Sequence, residues 1–160
     1  MGPLYVFIVS LLSSLVSGAD GSCPNGWIRH GTTCYHFSHD TEPMLLAGIA
    51  CQQMDGALVE IESKDENVYL AAHGKDLNTY YFIGLTDLQE ETVWVWNGSK
   101  RPLTTTGYIT WRPGEPNSVG SDENCVVMDT HNSGQWVDVA CHTSFHYICE
   151  KKDTESEIIG

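Results

Sequence analysis

Five oxygen-bearing side chains, in one short stretch and one neighbouring segment, could together hold a hard cation. Glu115, Asn117, Glu123 and Asn124 lie between Trp111 and Val126, and Asp138 follows in an apolar run. Calcium takes about six to eight oxygen ligands, mixing carboxylates, amide carbonyls and water. Crowded carboxylates lose water at a high cost unless a cation answers them, so such clusters mark metal sites. An acidic loop with a proline is more often a solvated turn than a cage. Spacing and surroundings must therefore decide.

Other chemistries find less support. The sequence holds no nucleophile motif, phosphate loop or metalloprotease helix. Glu115 and Glu123 could pose as a glycosidase pair, but nothing else in the chain suggests a deep cleft. The reading is a binding protein rather than an enzyme. His131, His142 and His146 are scattered and read as surface or packing residues; Trp94, Trp96, Trp111 and Trp136 read as core. Asn97-Gly98-Ser99 is a glycosylation sequon in a predicted turn, with Asn97 as the acceptor.

The elements that must position the loop can be read from periodicity. The stretch from Cys23 to Cys34 predicts a small hairpin. Glu42 to Met54 carries Leu45, Leu46, Ile49, Ala50 and Met54 at helical spacing, with Gly56 where a helix would stop. Leu58 to Ile61 reads as a short strand. Ser63-Lys64-Asp65-Glu66 is a capping box, opening a second helix that runs to about Gly74 with Val68, Leu70, Ala71 and Ala72 on its buried side. Tyr81 to Leu85, Thr92 to Trp96, Val126 to Met128, Trp136 to Val139 and Phe145 to Cys149 read as strands. The fold class is α+β: two early helices, then strands that hold a long irregular loop.

At 160 residues the chain has room for one domain. Leu4 to Val16 is a short apolar run followed by Ser17-Gly18-Ala19, which predicts a signal peptide over residues 1–19. A membrane span needs roughly 20 apolar residues, so no insertion is expected. The domain is assigned to residues 20–150 and a disordered acidic tail to 151–160. All six cysteines fall in the domain: Cys23, Cys34, Cys51, Cys125, Cys141 and Cys149. An even count after a signal peptide predicts disulfides in an oxidising, extracellular setting, although sequence alone does not choose the pairing. No close Cys-x-x-Cys pair supports zinc instead. The net charge of -13 excludes nucleic acid as a plausible partner and suits divalent cations better.

Taken in order, Phe82-Ile83-Gly84-Leu85, Trp94 and Trp96, Trp111, Glu115-Pro116-Asn117, Glu123-Asn124-Cys125, Trp136-Val137-Asp138, Cys141 and Cys149 resemble the C-type lectin domain family in its long form, across residues 23–150. The resemblance implies the pairings Cys23–Cys34, Cys51–Cys149 and Cys125–Cys141, and a cis peptide before Pro116. It implies calcium on Glu115, Asn117, Glu123 and Asp138, with Glu115, Asn117 and Glu123 also touching sugar. An auxiliary calcium position would map onto Asp87, Glu91, Asn124 and the Glu123 carbonyl, although Asn124 and Ser118 stand where acids are usual.

In sugar-binding members the Glu-Pro-Asn type favours mannose-like hydroxyl pairs, and a Gln-Pro-Asp type favours galactose. One departure bears on both ligands. The second motif of the family usually reads Trp-Asn-Asp; here Val137 supplies neither an oxygen nor an amide proton. Three carboxylates remain, so calcium binding should weaken rather than vanish, while sugar loses a hydrogen bond worth ~0.5–1.5 kcal/mol. The expected function is a secreted, calcium-dependent, mannose-preferring lectin serving pattern recognition of glycans in innate immunity. The alternative is a calcium-independent domain that binds a protein or other non-sugar ligand. With every cysteine paired internally, any homo-oligomer would be non-covalent.

Overall fold

The computed structural model describes residues 23–77, 80–104, 106–118 and 122–153. The predicted signal peptide and residues 154–160 lie outside them. Strands β1 (Ile28–His30) and β2 (Thr33–Phe37) form the expected hairpin, followed by helix α1 (Met44–Gln53), β3 (Ala57–Leu58) and helix α2 (Lys64–Lys75). Then come β4 (Tyr80–Thr86), β5 (Val95–Trp96), β6 (Cys125–Asp129), a 3₁₀ turn at Thr130–Asn132, β7 (Gln135–Val139) and β8 (His146–Lys152). The path through the sheet runs β1-β2-β8-β4-β6-β7, with β3 added to β8 and β5 to β4. Only the β4–β8 junction is parallel among these pairings. The α+β architecture is therefore as expected. Among the described residues no helix is long and apolar enough to cross a membrane.

Three disulfides staple it: Cys23–Cys34, Cys51–Cys149 and Cys125–Cys141. The second links α1 to the last strand across 98 residues of sequence and so fixes which side of α1 faces inward. That side carries Met44, Ala47 and Cys51. Leu45, Leu46 and Ile49, which gave the helix its sequence signature, are exposed at 75%, 47% and 41%. The helix also starts two residues later than predicted. Glu42 exchanges backbone hydrogen bonds with Phe145 instead, and Pro43 occupies the N-cap.

Helix α2 is capped as predicted on one side only. The Ser63 hydroxyl accepts from the Glu66 amide at 3.2 Å, but the Glu66 carboxylate accepts from the Glu62 amide and the Tyr35 hydroxyl rather than from Ser63. Its buried face is Asn67, Leu70, Ala71 and Gly74; Val68 and Ala72 point to solvent. The strand predicted from Thr92 shrinks to Val95–Trp96, because a turn holds the preceding residues: the Thr92 amide donates to Asp87 Oδ2 at 2.8 Å and Val93 N–H to the Glu90 carbonyl. At the other end, β8 continues through Lys152 and Asp153 is buried, so residues 151–153 belong to the domain rather than to a tail.

Two apolar clusters flank the sheet. The larger gathers Trp94, Trp96 and Trp136 with Ile61, Leu70, Ile83 and Leu85, and Trp111 packs against it. The tryptophans meet edge-on or tilted, with ring centroids 5.0 to 5.9 Å apart, as aromatic quadrupoles prefer. The Trp136 indole N–H donates to the Asn67 Oδ1 at 3.1 Å, tying β7 to α2. Gly84 lets the segment after β3 cross β4 closely: its N–H reaches the Val59 carbonyl at 2.7 Å, and a Cβ there would lie 2.8 Å from the Leu58 oxygen.

Candidate functional site

The oxygen-rich loop leaves the core at Trp111 and is stitched at once to β7. Trp136 N–H donates to the Thr110 carbonyl at 2.8 Å, and Arg112 N–H to the Trp136 carbonyl at 2.9 Å. The Arg112 guanidinium ion-pairs with Asp129, which is fully buried at the end of β6 and also caps the 3₁₀ turn. A turn then closes from Glu115 N–H to the Arg112 carbonyl, with Gly114 at φ +95, a conformation that glycine adopts without strain. The Glu115–Pro116 peptide is cis, as the resemblance implied.

Past the proline the loop docks on Asp138. The Asn117 amide N–H lies 3.0 and 3.2 Å from its two carboxylate oxygens, and the Ser118 N–H donates at 2.7 Å. Two successive backbone donors thus hold one buried carboxylate, 2% exposed, on the strand opposite Val126. The Asn117 side-chain amide donates to the Glu115 carboxylate. Glu115 is raised from its ordinary carboxylate range, first by burial, then by contact and like charge from Asp138, with Glu123 adding repulsion. Glu115, Asn117 and Asp138 are therefore brought together, and Glu123 is near enough to act through its charge.

Among the described residues this is a donor set in which like charges sit close together. Two carboxylates pressed together favour one proton or a cation between them. Among the described residues no three His, Cys, Asp or Glu side chains converge into a ready-made cage. The convergence is of two acids and an amide, with the third acid further off. Of the residues expected at an auxiliary position, Asp87 is the telling one. It is 2% exposed, its Oδ2 accepts from the Thr92 amide, and its buried Oδ1 has no hydrogen-bond partner. Burial raises its pKa, and the charges of Glu91 and Asp138 raise it further. The Asn124 carbonyl accepts from the Thr86 hydroxyl at 2.6 Å and faces the Asp87 amide at 3.3 Å. An orphaned buried carboxylate oxygen within reach of the charges of Glu91 and Asp138 fits a divalent ion.

Val137 lies between the two fixed points of β7. It is half-buried and packs against the second apolar cluster, which includes Phe82 and Val127. The methyl groups that replace an amide here are seated among hydrophobic neighbours.

A second acidic group was not foreseen from sequence. Glu60, Glu62, Glu66 and Glu150 line a cavity of about 590 Å³ with Tyr35 and Arg101. Glu60 accepts from Ser99 N–H and Arg101, Glu66 from the Tyr35 hydroxyl at 2.6 Å, and Glu150 from Glu60 N–H at 3.0 Å. Burial, with Glu66 and Glu60 nearby, pushes the Glu150 carboxyl up to about 8. Glu60 and Glu62 just before the capping box, with Glu66 inside it, were the visible signal, and their partner Glu150 lies 90 residues from Glu60.

Comparison with known proteins agrees with this architecture. The profile of the Lectin C-type domain matches residues 43–151. The chain is 35% identical over 133 residues to the mouse low affinity immunoglobulin epsilon Fc receptor, covering 82% of this chain and 38% of the receptor. It thus spans about two-fifths of the receptors that it matches in mouse and human. It is 30% identical to lactose-binding lectin l-2 of Anguilla japonica, over 91% of each chain. Among solved structures, the cow CD23 carbohydrate-recognition domain, determined in the presence of a GlcNAc2Man3 oligosaccharide, superposes with a TM-score of 0.72 at 35% identity, covering 82% of this chain and 97% of that one.

Proposed function

The chain belongs to the C-type lectin domain family, and from that premise we propose that it is an exported, calcium-dependent carbohydrate-binding protein that prefers mannose-type hydroxyl pairs. It acts as a binding module, not an enzyme. The observation that carries this reading is the docking of the Glu115–Ser118 segment on Asp138, which sets Glu115 against a second carboxylate. Glu115, Asn117, Glu123 and Asp138 would hold the ion, and Asp87, Glu91 and Asn124 an auxiliary one. Bound calcium would supply a Lewis acid that takes one lone pair from each of two sugar hydroxyls. The protein supplies the rest: an amide donor from Asn117 and carboxylate acceptors from Glu115 and Glu123.

Among the relatives, the cow domain was solved with a mannose-containing oligosaccharide and the eel lectin is named for lactose. Glu115-Pro116-Asn117 in this chain favours the former. Affinity for calcium on the order of 10⁻⁴–10⁻³ M suits an extracellular module. Export is supported by three disulfides, which persist in oxidising compartments. Recognition of glycans on microbial or other cells, as part of innate immunity, is the role this combination fits.

A second reading rests on Val137 and on the immunoglobulin receptors among the relatives: a domain that binds a protein without calcium. One experiment separates the two. The protein is passed over mannose–agarose with calcium and then with chelator, alongside calorimetric calcium titration. Retention that needs calcium and reverses with chelator is expected; indifference to chelator would favour the protein-binding reading.

A further inference from the structure

Helix α1 leaves an apolar groove uncovered. With Met44, Ala47 and Cys51 turned inward, Leu45 and Ile49 lie one turn apart on the outer side, 75% and 41% exposed, and Leu88 faces them at 60%. Between them is a cavity of about 500 Å³ whose rim includes His142 and Asn97. Contiguous exposed apolar surface of this kind normally has a covering. A second copy of a chain with net charge -13 makes a poor cover.

The rim carries its own candidate. Asn97 is the acceptor of the sequon Asn97-Gly98-Ser99, is exposed, and sits in the turn that follows β5. That turn is rigid. Asn97 N–H donates to the Gly84 carbonyl at 2.6 Å, Lys100 N–H to the Trp96 carbonyl at 2.9 Å, and Ser99 N–H to the buried Glu60 carboxylate at 2.6 Å. A Cβ at position 98 would lie 2.7 Å from the same carboxylate, so a larger residue there would have to push the Glu60 side chain aside. Among the described residues the Asn97 side chain accepts a hydrogen bond from the exposed Lys100 ammonium, at 3.1 Å.

We propose that Asn97 carries an N-linked glycan whose first sugar lies over the α1 groove and shields Leu45, Ile49 and Leu88. In the attachment reaction the Asn97 amide nitrogen bonds to the anomeric carbon of an oligosaccharide carried on a lipid diphosphate. The bond from that carbon to the phosphate oxygen breaks, the lipid diphosphate leaves, and the amide gives up one proton. An N-acetylglucosamine ring presents C–H faces and a methyl group, so it can cover apolar side chains while its hydroxyls stay wet. The inference requires export but does not depend on how the calcium loop is read.

The test uses the full chain secreted from a eukaryotic cell. Peptide mass spectrometry is expected to find sugar on Asn97. Trimming to a single N-acetylglucosamine with an endoglycosidase should leave the melting temperature unchanged. Complete removal with an amidase should lower it by about 2–4 °C and raise binding of an apolar dye. Asn97→Gln from the same cells, which avoids the aspartate left by the amidase, should melt with the fully stripped protein. In Ile49→Ser the gap between trimmed and stripped forms should close. Unmodified Asn97 in secreted material, or identical melting and dye binding for trimmed and stripped protein, would overturn the proposal.

Discussion

Two acidic clusters sit in this domain and are neutralised in different ways. Around Glu60, the protein supplies its own answers: an arginine, a tyrosine hydroxyl, three backbone amides, and for Glu150 a retained proton. Around Asp138 the backbone answers one carboxylate, but Glu115 is set against it and Asp87 keeps a buried oxygen unpartnered. The first arrangement ties α2, β3 and β8 together. Among the described residues, the second sets like charges against one another. Counting acids would not separate them; the donors seen among the described residues do.

Asp138→Asn should break the contrast most severely. It removes an expected ligand and weakens the carboxylate on which Asn117 and Ser118 dock, so calcium affinity should fall on the order of 10–100-fold, read by calorimetry with circular dichroism confirming the fold. Unchanged affinity would remove the loop from the functional reading.

Glu150→Gln tests the other cluster, in chelator. The folded-state pKa of about 8 lies above the ordinary 4.5, so the folded protein keeps a proton that the unfolded chain has released between those values. This residue therefore costs stability progressively as pH rises from about 4.5 to 8, and the cost is full above 8. Glutamine still accepts from Glu60 N–H without that cost. The variant should be more stable at pH 8, by on the order of 1–3 kcal/mol, and its denaturation midpoint should flatten across that range. A profile that keeps the wild-type slope would assign the pH dependence elsewhere.

Smaller effects sharpen the comparison. Val137→Asn should tighten calcium and mannose binding several-fold by supplying the missing oxygen and donor. It should also lose about 1 kcal/mol of stability, because Val137 packs on the second apolar cluster. Loss of stability without any gain in binding would count against the assignment of this position. Asp87→Asn should raise the melting temperature slightly in chelator, by relieving a buried charge, and shrink the further rise produced by calcium. An unaltered calcium increment would exclude Asp87 from ion binding.

The loop was legible because its oxygens are near one another in sequence and Asp138 stands in a recognisable strand. Cysteine pairing followed from the resemblance, and the core tryptophans from their place on strands. The Glu60 cavity was not legible, since its members meet only when β3 pairs with β8 and brings Ala57 opposite Glu150. Nor was the orientation of α1. Its leucine stripe satisfies helical spacing, yet a covalent bond from Cys51 to Cys149 turns the opposite face inward. Local patterns predict elements well, but a cross-link between distant segments can outrank hydrophobic periodicity. The brevity of β5 has a similar cause, because side-chain capture of Thr92 by Asp87 competes with strand pairing.

The pairing of β2 with β8 has a consequence for how such a unit can be used. Cys23 is tied to Cys34, Cys34 lies opposite Lys151, and Asp153 N–H returns to the Thr32 carbonyl, so the first and last described segments run close together. Strand β7, which bears Asp138, is at the opposite end of the sheet order. Copies tethered through that shared doorway would keep the Asp138 strand of each clear of the tether, free to reach a separate branch of a crowded surface. Weak individual grips could then add up to lasting attachment without any redesign of the pocket.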